Sequence, residues 1–153
     1  MTVVEFGVEL RATPEEAWAV LSDPRNLPQW DRHIASVEGV PAGGLRAGVR
    51  YVTVMSFVGI HARTRCHVLE WEPPLRTVIR LTGVIQATVS TTVTRLPPGR
   101  CWLEHRVDYR FRGGPLGGFA ARSLRLVGGP QLALRHGTLA QKRQIEAGTP
   151  RVG

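Results

Sequence analysis

The sequence predicts an α+β domain in which an antiparallel β-sheet precedes a C-terminal helix. Apolar and polar residues alternate with a period of two over residues 4–10 and, between turns rich in Gly and Pro, from 33 to 111. Such alternation is typical of strands with one buried face. After the Gly-Gly-Pro at 113–115, apolar residues recur at helical spacing. The 153 residues suit one domain, which we place at 1–148, with 149–153 as a short tail.

Two short helices are predicted after the first strand. Thr13 can cap the first of them, Pro14 suits the first helical position, and Glu16 completes a capping box. Pro28 disfavours helical backbone at the residue before it, so the second helix, within 23–30, is short. About six strands then follow, and the clearest of them are 61–71, 87–95 and 102–111.

The predicted C-terminal helix is up to about 30 residues long on its apolar spacing. Gly128-Gly129-Pro130 interrupts it. Because proline lacks an amide hydrogen and its ring collides with the preceding turn, Pro130 should kink or break this helix near Leu126.

The charge of the chain gives little support to a nucleic-acid function. Twenty Lys and Arg residues against twelve Asp and Glu give a net charge of +8, yet Lys142 is the only lysine. A phosphate-binding surface has no reason to exclude lysine. Glu104 and Asp108 alternate with Arg106 and Arg110 on the clearest strand, which favours cross-strand ion pairs over a phosphate track. We therefore expect no nucleic-acid partner.

Several other classes of protein and of site are disfavoured. With 42% hydrophobic and 21% charged residues the composition is that of a globular protein. No apolar run approaches the roughly 18 residues that span a bilayer, and the N-terminus does not resemble a signal peptide, so we expect a cytoplasmic protein. Cys66 and Cys101 are too few for a disulfide framework. His61 and His67 lie roughly 20 Å apart on one strand, too far to share an ion, so no metal site is expected.

Three segments resemble the START-like (SRPBCC) superfamily. Residues 13–18, Thr-Pro-Glu-Glu-Ala-Trp, resemble the opening of its first helix. Residues 23–31 are similar to its "d-p-x-n-l-p-x-W" segment, and residues 69–76 to its "v-e-x-e-P-P-x-r" strand end. The polyketide cyclase/dehydrase branch is the most similar. The resemblance implies the helix-grip fold, a curved antiparallel sheet of about seven strands wrapped around a long C-terminal helix, with an apolar ligand cavity between them.

Strand parity and helical spacing predict which side chains face this cavity. Met55 and Phe57 would supply an adaptable apolar wall, and Trp30 is expected near the cavity mouth. The other expected ligand-binding residues are Thr53, Cys66, Val68, Ile79, Val89, Thr91, Val107, Phe119, Ser123 and Val127.

Four residues are candidates for catalysis. His105 lies on an otherwise apolar strand face, where an imidazole could take a proton from carbon or polarise a carbonyl. The alternative is a core histidine that is satisfied by a backbone carbonyl or by Tyr109. Tyr51 and Tyr109 could donate hydrogen bonds to a ligand oxygen or simply line the core. Glu70 has inward parity, which would suit acid/base work, although a rim carboxylate paired with arginine is the favoured interpretation.

The resemblance implies a protein that binds a hydrophobic small molecule. The leading hypothesis is a cofactor-independent polyketide cyclase or aromatase of secondary metabolism, which would fold a reactive chain for aldol cyclisation and dehydration. His105 and one tyrosine would transfer protons. Two alternatives stay open, a non-catalytic lipid or metabolite carrier or sensor and a protein-binding module like the co-chaperones of the same superfamily. Delivery of the substrate on a carrier protein and homodimer formation also stay open.

Overall fold

One antiparallel sheet organises the chain. The computed structural model describes residues 2–31, 34–57, 59–83, 85–111, 113–126 and 128–148. Its strands are β1 (Thr2–Leu10), β2 (Ile34–Glu38), β3 (Arg50–Phe57), β4 (Ile60–Glu72), β5 (Arg76–Thr82), β6 (Ile85–Leu96) and β7 (Arg100–Phe111). Their order across the sheet is β1-β7-β6-β5-β4-β3-β2. The first strand therefore lies beside the last, and every other strand lies beside its neighbour in sequence.

Two short helices follow β1, as predicted. They are α1 (Pro14–Leu21) and α2 (Leu27–Trp30), with a 3-10 turn at Pro24–Asn26 between them. The capping box forms, because the Thr13 hydroxyl accepts from the Glu16 amide at 3.2 Å and the Glu16 carboxylate accepts from the Thr13 amide at 3.4 Å. The chain thus turns sharply out of the sheet and places α1 over one end of it.

The C-terminal helix is broken, as predicted, into α3 (Pro115–Leu126) and α4 (Pro130–Gly148). Gly128 and Gly129 adopt φ values of +97° and +89°, a left-handed conformation that glycine adopts without steric cost. Because the chain turns at this pair, α3 and α4 cover different parts of the sheet. Helix α4 packs on β1, α1 and α2, whereas α3 lies near the end of β7.

Helix α4 is attached to the edge strand β1 through backbone oxygens. The Lys142 ammonium donates to the Glu9 carbonyl at 2.8 Å, and the Gln131 amide donates to the Glu5 carbonyl at 2.8 Å. These contacts hold α4 at one side of the sheet.

Two buried clusters lie at opposite ends of the inner face, the face that the helices cover. The first, beneath α1 and α4, includes Leu10, Leu103 and Ile145. The second, beside the connection between β2 and β3, includes Leu45 and Val68. The α+β class and the helix-grip architecture predicted from the sequence are confirmed. The predicted tail, 149–153, lies outside the described residues, and no helix of the described part is long and apolar enough to span a membrane.

Candidate ligand-binding site

Three rows of inward side chains cross the sheet, and two of them begin in the second buried cluster. Residues paired directly across antiparallel strands point to the same face, so the strand register defines each row. The apolar row consists of Val68, Ile79, Val89, Val107 and Val4. The histidine row consists of Thr77, Thr91, His105 and Phe6. The tyrosine row consists of Tyr51, Cys66, Leu81, Ala87 and Tyr109.

The apolar row is only partly covered. Val68 is fully buried at one end, whereas Ile79, Val89, Val107 and Val4 are half-buried. These four side chains face the helices, so the helices leave part of this apolar surface exposed. An incompletely covered apolar surface with polar groups on either side is a common form of ligand site.

His105 is held on both ring nitrogens by protein groups. Its Nδ1 lies 2.8 Å from the Thr91 hydroxyl and its Nε2 lies 2.6 Å from Gln141 Oε1. The ring is 7% exposed, and this burial lowers the pKa of His105, although the Gln141 hydrogen bond acts in the opposite direction. A neutral ring that donates from Nε2 to Gln141 and accepts at Nδ1 from Thr91 satisfies both contacts. His105 is therefore a satisfied buried histidine, and its partners are Thr91 and Gln141 instead of a backbone carbonyl or Tyr109.

Tyr51 and Cys66 lie together at the β3–β4 end of the tyrosine row. Burial raises the pKa of the Tyr51 hydroxyl, and the adjacent Cys66 acts in the same direction. Burial also raises the pKa of the Cys66 thiol, and hydrogen bonds with Thr53 and Tyr51 oppose this rise. The sulfur lies 3.9 Å from the Thr53 hydroxyl. A buried, protonated thiol of this kind packs and does not act as a nucleophile.

Tyr109, at the other end of the same row, lines a cavity of about 340 Å³. Its ring packs edge-on against Phe111 with centroids 5.8 Å apart. The other lining residues are Thr2, Arg110, Phe111, Ala121, Arg125 and Pro130. The cavity thus lies between the end of the sheet and the break that separates α3 from α4, and its volume is near the ~300 Å³ lower limit for small-molecule sites.

Helix α3 contributes Phe119 to an apolar cluster with Met55, Ala62 and Phe111. This cluster joins residues of β3, β4, β7 and α3, so α3 crosses the inner face at this end. The thioether of Met55 accepts a hydrogen bond from Thr64 at 3.3 Å. Among the other expected ligand-binding residues, the side chains of Phe57 and Ser123 and the whole of Val127 lie outside the described residues.

A family model described as polyketide cyclase / dehydrase and lipid transport matches residues 1–132. The chain belongs to this family. Membership confirms the START-like, polyketide cyclase-type resemblance seen in the three sequence segments.

A curated relative and two solved structures of other proteins are similar to this chain. A Mycobacterium tuberculosis protein, itself uncharacterised, is 27% identical over 128 residues, which are 82% of this chain and 90% of the relative. The aromatase/cyclase Zhui from Streptomyces sp. R1128 superposes with a TM-score of 0.77 at 16% identity and covers 99% of this chain and 98% of its own. A START superfamily protein from Mycobacterium smegmatis has a TM-score of 0.69 at 18% identity, with 96% and 99% coverage. The two structures establish the shared fold.

Glu70 does not face the inner side of the sheet, and the prediction of inward parity is wrong. A β-bulge between Val68 and Glu70 shifts the pairing of β4 with β5. One extra residue moves the following side chains to the opposite face, so Glu70 is exposed and Trp71 packs inward. The Glu70 carboxylate accepts from Arg76 Nε at 2.9 Å. The alternative interpretation, a rim carboxylate paired with arginine, is confirmed.

Trp30, which was expected near the mouth of the ligand cavity, is not among the residues that line the 340 Å³ cavity. It is 8% exposed, and its indole N–H donates to Gln144 of α4 at 2.5 Å. The ring therefore joins α2 to α4.

The candidate catalytic groups of the protein lie far apart on the sheet. His105 and Tyr109 lie four residues apart on β7, about 13 Å at ~3.3 Å per residue. Tyr51 lies four strands from Tyr109 in the same row, about 19 Å at ~4.8 Å per strand. No two of these groups are close enough to exchange a proton directly. Within the described residues, no group of three or more His, Cys, Asp or Glu could hold a metal ion.

Sequence reasoning missed several residues of this site, among them Gln141, the partner of His105. Its signal was present, because Gln141 shares the buried line of α4 with Thr138 and Ile145. A polar side chain on a buried helical face needs a partner, and His105 is the group that the fold brings to it.

Proposed function

We propose that the protein binds and carries a mainly apolar small molecule that lies along the apolar row. The observation that carries this proposal is the half-burial of Val4, Ile79, Val89 and Val107 on the covered face of the sheet. Each methylene group of a ligand that leaves water for such a surface contributes about 0.8 kcal/mol. A ligand of several such groups is therefore bound mainly by apolar contact.

The state of the titratable groups favours binding over acid/base chemistry. Both ring nitrogens of His105 are engaged by protein groups, and the carboxylate of Glu70 is directed to solvent. A general base must reach the proton that it abstracts. To act as a base, His105 would first have to release the Thr91 hydroxyl from Nδ1. Carriage without chemistry agrees with the lipid-transport part of the family description.

The polar groups beside the apolar row suggest that the ligand also carries an oxygen. Tyr109 lines the 340 Å³ cavity, and a largely buried phenol usually seeks a hydrogen-bond partner. A ligand carbonyl or hydroxyl at this point would accept or share that hydrogen bond. The expected ligand is thus an apolar molecule with a polar atom near one end.

Fluorescence titration with N-phenyl-1-naphthylamine, a neutral apolar probe, tests the proposed site. We expect binding to the native protein and a loss of about tenfold or more in Val107→Trp, because the larger ring fills the space above the apolar row. The control is Val3→Trp, which places the same side chain on the exposed outer face of β1 and should change the affinity less than twofold. Equal affinities of the two variants, both folded by circular dichroism, would exclude the apolar row as the site.

A second candidate function is cyclisation of a polyketide chain. The family description and the likeness to an aromatase/cyclase favour it. In this case Tyr109 would donate to the carbonyl oxygen that becomes negative during an aldol step. His105 would accept a proton after releasing Thr91.

The two candidate functions are separated by Tyr109→Phe, which removes only the hydroxyl. A soluble poly-β-ketone is incubated with the native protein, with Tyr109→Phe and with His105→Gln, and its products are quantified. The protein is an enzyme if it cyclises the polyketone faster than buffer alone does. This rate should then fall in either variant, while the affinity for N-phenyl-1-naphthylamine stays unchanged. Tight binding of the polyketone without cyclisation above the buffer rate would leave carriage as the function.

A further inference from the structure

The outer face of the sheet, opposite the ligand site, contains a groove of about 570 Å³. Four basic residues line it, and we call it the basic groove: Arg50, Arg65, His67 and Arg80. Its other lining residues are Glu38, Gly39, Tyr51, Val52, Cys66 and Thr82. Tyr51 and Cys66 have inward parity, whereas the four basic residues have the opposite parity on β3, β4 and β5. The basic side chains therefore lie on the side of the sheet away from the helices.

Strand register brings the four basic side chains together. Arg50 pairs with His67, and His67 pairs with Arg80, so these three form one row across adjacent strands. The Cα atoms of Arg50 and Arg80 are therefore about 10 Å apart at ~4.8 Å per strand. Arg65 lies two residues along β4 from His67, or about 7 Å. Arginine side chains at these separations can direct their guanidinium groups to one small ligand.

The basic groove lacks matching negative charge within the described part of the chain. No salt bridge of the described residues involves Arg50, Arg65 or Arg80. Glu38 lines the groove, but it is held by Arg63 at 2.8 Å. Guanidinium groups keep their charge, and three of them on adjacent strands without carboxylate partners repel one another at a cost in stability. An anion in the groove would remove this cost.

The rest of the outer face differs in this respect. Arg100 is paired with Glu9 at 2.9 Å, and Arg106 is paired with Glu5 at 3.3 Å. These carboxylates lie on β1, beyond β6 and β7 from the groove. Arg100 and Arg106 are thereby matched in charge and offer less attraction to a polyanion than unpaired arginines do. Arg110 on β7 is an exception, because it donates to Gln86 at 2.7 Å and has no salt bridge among the described residues, but it lies three strands from Arg65. The arginines of the groove thus form a compact positive area suited to a short anion.

We propose that the basic groove binds a small molecule that carries two or more adjacent phosphate groups. Guanidinium groups bind phosphate through paired, charge-assisted hydrogen bonds. The volume of the groove lies within the range of about 300 to 1,000 Å³ that small-molecule sites occupy. This site is independent of the apolar row, because the two lie on opposite faces of the sheet.

Calorimetric titration with inorganic pyrophosphate at low salt tests the proposal. We expect saturable binding that is about tenfold weaker in Arg65→Gln and in Arg80→Gln, since each loses a bidentate contact. Arg106→Gln is the matched control, because it removes one arginine from the same outer face at a position already paired with Glu5 and Asp108. This variant should bind pyrophosphate within twofold of the native affinity.

Thermal unfolding provides a second measurement on the same variants. Pyrophosphate should raise the melting temperature of the native protein, because a ligand that binds only the folded state stabilises it. The rise should be smaller in Arg65→Gln and Arg80→Gln. If either glutamine variant does not fold, Arg65→Lys and Arg80→Lys, which keep the charge but lose the bidentate geometry, should show an intermediate loss of affinity.

Three outcomes would overturn the proposal. They are absence of pyrophosphate binding at millimolar concentration, an equal loss of affinity in Arg106→Gln, and tighter binding of a single-stranded oligonucleotide than of pyrophosphate. The last outcome would assign the groove to nucleic acid. Binding of N-phenyl-1-naphthylamine should be unchanged in all of these variants, so failure of the basic groove is distinguishable from failure of the apolar site.

Discussion

The buried pair of hydrogen bonds on His105 predicts a pH-dependent stability that one substitution should remove. Burial lowers the pKa of His105 below its ordinary value of 6.5, so the unfolded chain takes up a proton at a pH where the folded protein does not. Above about pH 6.5, His105 therefore does not lower the free energy of unfolding. Below that pH, the free energy of unfolding falls as the pH drops. His105→Gln replaces the titrating ring by an amide that carries no charge.

The size of this effect follows from the linkage relation. Each pH unit between the unfolded and the folded pKa changes the free energy of unfolding by about 1.4 kcal/mol per proton. For a group with an unfolded pKa of 6.5, the loss between pH ~7 and ~5.5 reaches about 1.3 kcal/mol when the folded pKa lies well below that interval. His105→Gln also loses part of the contacts with Thr91 and Gln141, which lowers its stability at every pH by about 1–3 kcal/mol. The absolute stability is therefore a poor readout, and the slope against pH is the decisive one.

Urea denaturation followed by tryptophan fluorescence, repeated in steps from pH ~7.5 to ~5, measures that slope. The native protein should lose stability below pH ~6.5, and His105→Gln should be nearly flat in the same interval. The control is His61→Gln on the exposed outer side of β4, which should follow the native slope. Parallel curves for the native protein and His105→Gln would refute the assignment of a neutral, doubly bonded His105.

Three further substitutions test other parts of the structure. Thr13→Ala removes the cap of α1 and should lower the free energy of unfolding by about 1 kcal/mol in urea, whereas Thr13→Ser should not; equal losses would contradict the capping box. Gly83→Ala adds a Cβ 2.9 Å from the Arg63 carbonyl oxygen and should lower the free energy of unfolding by about 1–3 kcal/mol. The control Gly43→Ala has no neighbour within 4 Å and should shift the melting temperature little. Similar shifts in the two variants would contradict the close contact between Gly83 and Arg63. Glu70→Gln should leave the affinity for N-phenyl-1-naphthylamine within twofold of native, and a large loss would contradict its outward placement.

The local elements of the fold could be predicted because their signals are local. Alternation along 102–111 predicts one buried face, and β7 has that face. The capping box of Thr13 and Glu16 forms because its partners are three residues apart on one helix turn. The break near Leu126 depends on the Gly-Gly-Pro that follows it. Each of these features is determined by neighbours in the chain, so the sequence contains all the information that they need.

The candidate site was predictable only in part. Parity places the side chains of the apolar row on one face as long as the strand remains regular. The bulge before Glu70 ends that regularity, and the backbone hydrogen bonds to β5 decide where it occurs. No residue type near Glu70 indicates that β4 has an extra residue there. The face to which Glu70 points could therefore not be predicted from alternation alone.

The sequence by itself determined the family, the strands, the N-terminal cap of α1 and the break between α3 and α4. The tertiary structure decided the partners of His105, because Gln141 is 36 residues away in the chain and meets the ring only when α4 packs on the sheet. It also decided the basic groove, whose arginines come from three strands aligned by register. Patterns within a strand or a helix act over a few residues, whereas a site is formed by side chains that only long-range packing brings together.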